Sequence, residues 1–396
     1  TRVSSSAASD VYKRQIDSYP FDKLRKLLST VSPDKKKNSF INLSIGEPQK
    51  NSSPEVLRIL NENKKLYSQY PPMDSISDLT SAYKYYLNKR FSIKNLSDEN
   101  ILNLGGTREG TFSVIQSLFN RKIKSKKPYI LMPNPFYQIY GGATLLAGGV
   151  SKHINLIDTN NFSLDLDSVK ESTWKKCQVL VLCSPSNPTG SVMSENEILK
   201  VIKLSRKYGF YLVSDECYID IYRKNPPKSL IEISFKKYGN FKNIMSLHSL
   251  SKRSNLPGFR SGMVCGDKIL IKNFKKYRSF HGVSIPIPIQ IASSEAWRDE
   301  KFVLNNRDFY NENFYLANKI LDYKEPDGAF YMWLKTENGE DFSKKLYKEK
   351  NIVTLPGKYL AVTKNGKNPA ENYVRIALVH NKKIVKEALE KISDIL

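Results

Sequence analysis

Short apolar runs alternate with helix-spaced apolar positions through the middle of the chain, the pattern of a mostly parallel sheet covered by helices. Candidate strands are Tyr129–Met132, Val179–Cys183, Tyr211–Ser214 and Asn243–Leu247. Between the second and third the spacing predicts a helix. Ser194 and Glu197 form an S-x-x-E capping box, Ile198, Val201 and Ile202 share a face, and Gly209 closes it. A further helix is expected from about Thr107, with Phe112, Ile115 and Phe119 on one face. The last helix carries Val385, Ala388, Leu389, Ile392 and Leu396 as one stripe.

At 396 residues, 40% of them hydrophobic, the chain is long enough for two packed domains. An α/β fold is expected, with a large domain over 52–286 and a smaller α+β domain built from both termini, 16–51 and 287–396. Residues 1–15, in which Asp10–Gln15 reads D-V-Y-K-R-Q, look like a translated sequencing adaptor and are set aside as non-native. No run approaches 18 apolar residues, so no membrane-spanning helix is expected, and the N-terminus shows no signal-peptide pattern. Cys177, Cys183, Cys217 and Cys265 are widely spaced, which argues against a metal site or disulfides and for a reducing, cytoplasmic compartment. The net charge of +24 comes from lysines scattered along the whole chain. It is read as a solvated basic surface, with neither nucleic acid nor membrane as partner.

Three polar clusters follow the candidate strands, where ligands of open α/β sheets bind. They are Ser184-Pro-Ser-Asn-Pro-Thr-Gly190, Asp215-Glu-Cys-Tyr218 and His248-Ser-Leu-Ser-Lys252. Together they meet the needs of pyridoxal 5′-phosphate: a lysine for its aldehyde, a carboxylate for its ring nitrogen and donors for its phosphate. Lys252 is the lysine and Asp215 the carboxylate, while Tyr218 and Asn187 are placed to bond the ring oxygen. Gly106-Thr107-Arg108 opens a helix, where unpaired N–H groups and the dipole favour a phosphate. Ser249 and Arg260 add a hydroxyl and a guanidinium. Tyr137 offers a ring to stack on the cofactor.

The run Ser249–Gly262, S-L-S-K-R-S-N-L-P-G-F-R-S-G, resembles the lysine motif of class I aminotransferases, the fold-type-I pyridoxal phosphate enzymes. S-N-P-T-G, D-E-C-Y and Asn372-Tyr-Val-Arg375 resemble the family's other fingerprints, in the same order. The resemblance implies transamination, with Lys252 as the proton carrier. It also implies that Arg375 binds the substrate α-carboxylate, that Gly46 lies against that carboxylate, and that Tyr70 reaches the phosphate of a neighbouring subunit in a homodimer. The family's usual Gly and Arg are replaced by Ser75 and Thr80.

Aspartate-specific members use a second arginine from the partner subunit for the distal carboxylate, near the segment Tyr277–Gln290, which here holds one arginine, Arg278. Several segments, including Asn134–Gly141 and Tyr277–Gly282, look closest to bacterial N-succinyldiaminopimelate aminotransferases. That subfamily makes the lysine precursor with glutamate and 2-oxoglutarate as the partner pair. Three alternatives stand beside it: another class I aminotransferase (aspartate, aromatic or kynurenine type), a lyase of the same fold, and a transcription regulator built on this domain. The regulators carry an N-terminal DNA-binding module, for which no room is expected before Ser44.

Overall fold

The apolar alternation of the central strands is realised on both faces of a seven-stranded sheet. The computed structural model describes residues 19–33, 38–120, 128–281 and 283–396, so the segment 1–15 lies outside it. Strands are numbered along the chain: β1 (Ile41–Asn42), β2 (Ile101–Leu104), β3 (Tyr129–Asn134), β4 (Val150–Asn155), β5 (Cys177–Cys183), β6 (Tyr211–Asp215), β7 (Ile244–Ser249), β8 (Gly262–Gly266), β9 (Tyr331–Lys335), β10 (Ile352–Val353), β11 (Leu355–Pro356) and β12 (Tyr373–Ala377). The large sheet has the order β2-β8-β7-β6-β5-β3-β4. Strands β3 to β7 pair in parallel, and β8 runs antiparallel to both β7 and β2.

Successive side chains of a strand point to opposite faces. Accordingly Leu180, Leu182 and Leu212 enter one buried cluster and Val179, Val181 and Val213 the other. Both faces are covered, as a parallel sheet requires. The helix Glu195–Tyr208 covers the first face. Its capping box forms as the sequence predicts, and Gly209 ends it at φ 69°. The helix Thr107–Leu118 covers the other face with Val114, Ile115 and Leu118.

The smaller part joins both ends of the chain. Strand β1 pairs in parallel with β10, and β11-β12-β9 forms an antiparallel sheet. The long helix Glu300–Leu321 and the last helix Lys382–Ser393 pack on it. The N-terminal helix Pro20–Leu28 buries Leu24 in the same part, beside Trp333 and Leu355.

Two placements depart from the expectation. The helix Ile287–Arg298 lies past the expected boundary at 286, yet Ala292, Ala296 and Trp297 belong to the cluster of the large sheet. The chain therefore changes layer after Arg298. Leu396 is not part of the last helix's stripe: the helix ends at Ser393, leaving Leu396 61% exposed while Ile395 turns inward. Leu389→Ala should accordingly cost about 2–5 kcal/mol in a urea titration. Leu396→Ala should stay within about 0.5 kcal/mol. Equal losses would return Leu396 to the core.

Candidate active site

The parallel register brings the ends of three strands to one height. Cys183 of β5 pairs with Asp215 of β6, and Asp215 pairs with Leu247 of β7. The segments that leave these strands therefore emerge side by side and deliver Asn187, Tyr218 and Lys252 to one cavity of about 410 Å³. Gly46, Thr107, Arg108, Tyr137, Asp215, Arg260 and Arg375 complete the set of predicted residues that line it.

Asp215 lies 3% exposed on the cavity floor. Its Oδ2 accepts from the Tyr140 phenol at 3.0 Å and its Oδ1 from the Cys217 amide at 3.3 Å. Burial raises its pKa, while those hydrogen bonds favour the ionised form. Among the described residues no Lys, Arg or His pairs with it. A buried carboxylate without a cation is costly. Its position suits the protonated ring nitrogen of pyridoxal phosphate, which would supply the missing charge.

Lys252 follows β7 in the short helix Leu250–Arg253. Its Nζ donates to the Gly46 carbonyl and lies 5.5 Å from the centre of the Phe330 ring. Burial lowers its pKa to about 8, and the nearby Arg375 and Arg260 act in the same direction. An amine so poised gives up its proton far more readily than an ordinary lysine, and its neutral form can attack an aldehyde or take up a proton.

The anion corner lies at the start of the helix Thr107–Leu118. Gly106 has φ 83°, and a Cβ there would stand 2.4 Å from Arg260 Nη2, so the tight approach needs glycine. Arg260 donates to Pro257 O at 2.7 Å and Gly105 O at 3.2 Å, which holds it beside the helix start. The first-turn amides have no intrahelical acceptor. Together these groups fit a phosphate. Ser249 does not line the cavity. It is buried as the cap of the helix Leu250–Arg253, its Oγ accepting from the Ser251 amide at 3.1 Å, and Ser251 takes the place at the wall.

Arg375 comes from β12 and is 5% exposed. It donates to Asn187 Oδ1 at 2.9 Å and to Ser44 O at 2.7 Å, while its buried Nε has no partner. The guanidinium is thus fixed in orientation at the cavity wall. Tyr70 stands apart, fully exposed and outside the cavity.

Sequence reasoning missed Tyr140, Tyr331, Glu47 and the pair Tyr19 and Phe21, all of which line the cavity. Tyr140 follows Tyr137 by three residues, and the two rings meet edge to face at 5.8 Å. That spacing was a usable signal. Tyr331 reads in sequence as one more apolar strand residue, and its phenol reaches Tyr218 Oη at 2.9 Å.

Residues 38–392 match the family model described as aminotransferase class I and II. An aminotransferase from Neisseria meningitidis is 37% identical with a TM-score of 0.92, over 97% of this chain and 98% of that one. An aminotransferase from Helicobacter pylori is 35% identical with a TM-score of 0.89, over 96% and 98%. The LL-diaminopimelate aminotransferase of Natranaerobius thermophilus is 28% identical over 91% of this chain and 92% of its own length.

Labelling of Lys252 in the cofactor-free protein by an amine-directed reagent, followed by mass spectrometry of its peptide, checks the electrostatics. The amine is charged and inert below its pKa and reactive above it, so the rate should rise with a midpoint near pH 8. A midpoint near the ordinary lysine value of about 10.4 would show that burial does not govern it.

Proposed function

This chain belongs to the class I and II aminotransferases, which depend on pyridoxal phosphate, and we propose that its amino donor is a diaminopimelate derivative, with 2-oxoglutarate as acceptor. The bound cofactor supplies an electron-withdrawing ring that acidifies the donor's Cα–H. Lys252 Nζ takes that proton and returns it on the other side of the exchange. Asp215 keeps the ring nitrogen protonated, and the Tyr140 hydroxyl fixes the carboxylate. Arg375 binds the donor's α-carboxylate with the two-pronged geometry of a guanidinium. Tyr137 covers the ring, and Tyr218 and Asn187 hold the ring oxygen. Thr107, Arg108 and Arg260 bind the phosphate.

The observation that carries the donor class is the placement of Arg278. It is 1% exposed, and its guanidinium donates to Asn103 O and to Val283 O. It is thereby held inside the fold and cannot serve a short distal carboxylate. The donor's far end instead meets Tyr19, Phe21 and Ile45, a wall suited to a long chain. We take N-succinyl-L,L-diaminopimelate as the first reading. Glu47, which also lines the cavity, favours a second: a carboxylate there suits the unblocked distal ammonium of LL-diaminopimelate, the donor in the name of the relative from Natranaerobius.

Two measurements bear on this reading. Asp215→Asn should keep the cofactor bound but slow transamination roughly a hundred- to ten-thousand-fold. Near-normal turnover would move the ring-nitrogen role to another residue. Specificity constants for N-succinyl-L,L-diaminopimelate, LL-diaminopimelate and aspartate, each with 2-oxoglutarate, decide the donor. The succinylated donor should rank first. LL-diaminopimelate ahead of it selects the second reading, and aspartate in first place sinks both.

A further inference from the structure

Tyr331 opens β9 and touches three residues of the site at once. Its Oη lies 2.9 Å from Tyr218 Oη, with both phenols buried. The Arg375 guanidinium stands 4.5 Å over its ring. A Cβ on Gly46 would come within 1.9 Å of its Oη, so the chain passes this phenol at a separation that glycine alone permits.

A hydroxyl has one proton to give and two lone pairs to receive with. If Tyr218 donates to Tyr331, Tyr218 shows the cavity lone pairs only. If Tyr331 donates, the Tyr218 proton is left for the cavity. The cation decides between them. Burial raises the pKa of Tyr331, but Arg375 above its ring favours loss of the proton. For Tyr218 burial dominates, the Tyr331 phenol raises it further, and Arg375 is only the weakest opposing influence, because the guanidinium stands over the other ring. The other titratable groups facing Tyr331 are Tyr310, Cys183 and Cys217, all kept neutral by burial. Tyr331 is thus the better acid of the pair and the donor within it.

We propose that Tyr331 is a positioning residue of the reaction, giving its proton to Tyr218 Oη so that Tyr218 turns its own proton to the ring oxygen of the cofactor. The inference rests on the reading above that Tyr218 faces that oxygen. Hydrogen bonds in a chain polarise one another, so the bond that Tyr218 receives strengthens the one it makes. Because the donating ring lies under Arg375, the direction of the pair is tied to the residue that holds the donor's carboxylate.

The test is the pH titration of cofactor absorbance in the holoenzyme, in the wild type, Tyr331→Phe, Tyr218→Phe and the double variant. Phenylalanine keeps the ring under Arg375 and removes the hydroxyl alone. A hydrogen bond given to the ring oxygen favours its negative form and lowers the midpoint. Tyr218→Phe should therefore raise the midpoint. Tyr331→Phe should raise it less, by about half a pH unit, the scale of one net hydrogen bond. In the Tyr218→Phe background Tyr331→Phe should add nothing, because the two hydroxyls act as one unit. A midpoint that falls or stays in place with Tyr331→Phe, or equal shifts in both backgrounds, would overturn the inference and leave the assignment of Tyr218 standing. An unmoved midpoint in Tyr218→Phe would remove that assignment and the inference with it.

Discussion

Asp215 ends β6 with its carboxylate buried between the ends of two neighbouring strands, and no cation of the described chain reaches it. Such a group is unfavourable unless its oxygens are bonded and a positive charge is brought to it. The fold supplies the first condition through Tyr140 and the Cys217 amide. The second has to come from a ligand. The rest of the site is laid out around that vacancy of charge: Lys252 from the adjacent strand, Tyr137 from the far side, Arg260 and the helix start at Thr107 where an anionic tail would lie. Each is carried by a different element, so the sheet register is what fixes their separations.

Arg375 ties this arrangement to the smaller part of the molecule. It belongs to β12, yet its hydrogen bonds reach Asn187 after β5 and Ser44 after β1. A guanidinium held from both sides loses little freedom when a carboxylate arrives, which is the condition for oriented binding. Among the described residues, Lys252, Arg108, Arg260 and Arg375 line the cavity against two carboxylates, Asp215 and Glu47. The imbalance favours anionic ligands and raises their local concentration. It is this local excess that bears on the chemistry, more than the net charge of +24 spread over the surface.

What could be read from sequence was whatever lies next to a strand end. Asn187, Asp215, Tyr218 and Lys252 follow recognisable apolar runs within a few residues, so the sheet rule placed them before any coordinates. Tyr331 was harder because it meets Tyr218 from 113 residues away, and long-range pairing leaves no local pattern, while Tyr140, 75 residues from Asp215, left only its spacing from Tyr137. Ser249 was assigned a phosphate role by its place in the lysine motif, and a serine ending a strand before a helix is also a natural cap; its Oγ accepts the Ser251 amide and keeps its own proton to donate. The layer boundary was set too early for a similar reason. Ile287–Arg298 begins directly after Pro286, where the boundary was expected, and the burial of Trp297 under the large sheet's helices is a tertiary fact.

Arg278 shows how one residue's employment shapes what the site can bind. Its guanidinium lies 3.6 Å from Glu109, and Glu109 in turn accepts from the Gly105 amide at 3.0 Å and the Ser113 hydroxyl at 2.8 Å. Gly105 leads into Gly106 and the helix start that forms the anion corner. Arg278 therefore braces the phosphate end of the cavity from behind, through Glu109, and holds β2 through the Asn103 carbonyl. Withdrawing it would leave Glu109 without its cation and loosen the turn on which the corner depends. An arginine so committed cannot also swing out to meet a substrate's far carboxylate. What the proposed function leaves for that far end is the N-terminal side of the cavity, where Tyr19, Phe21 and Ile45 form the wall and Arg108, at the anion corner, packs 5.6 Å over the Tyr19 ring.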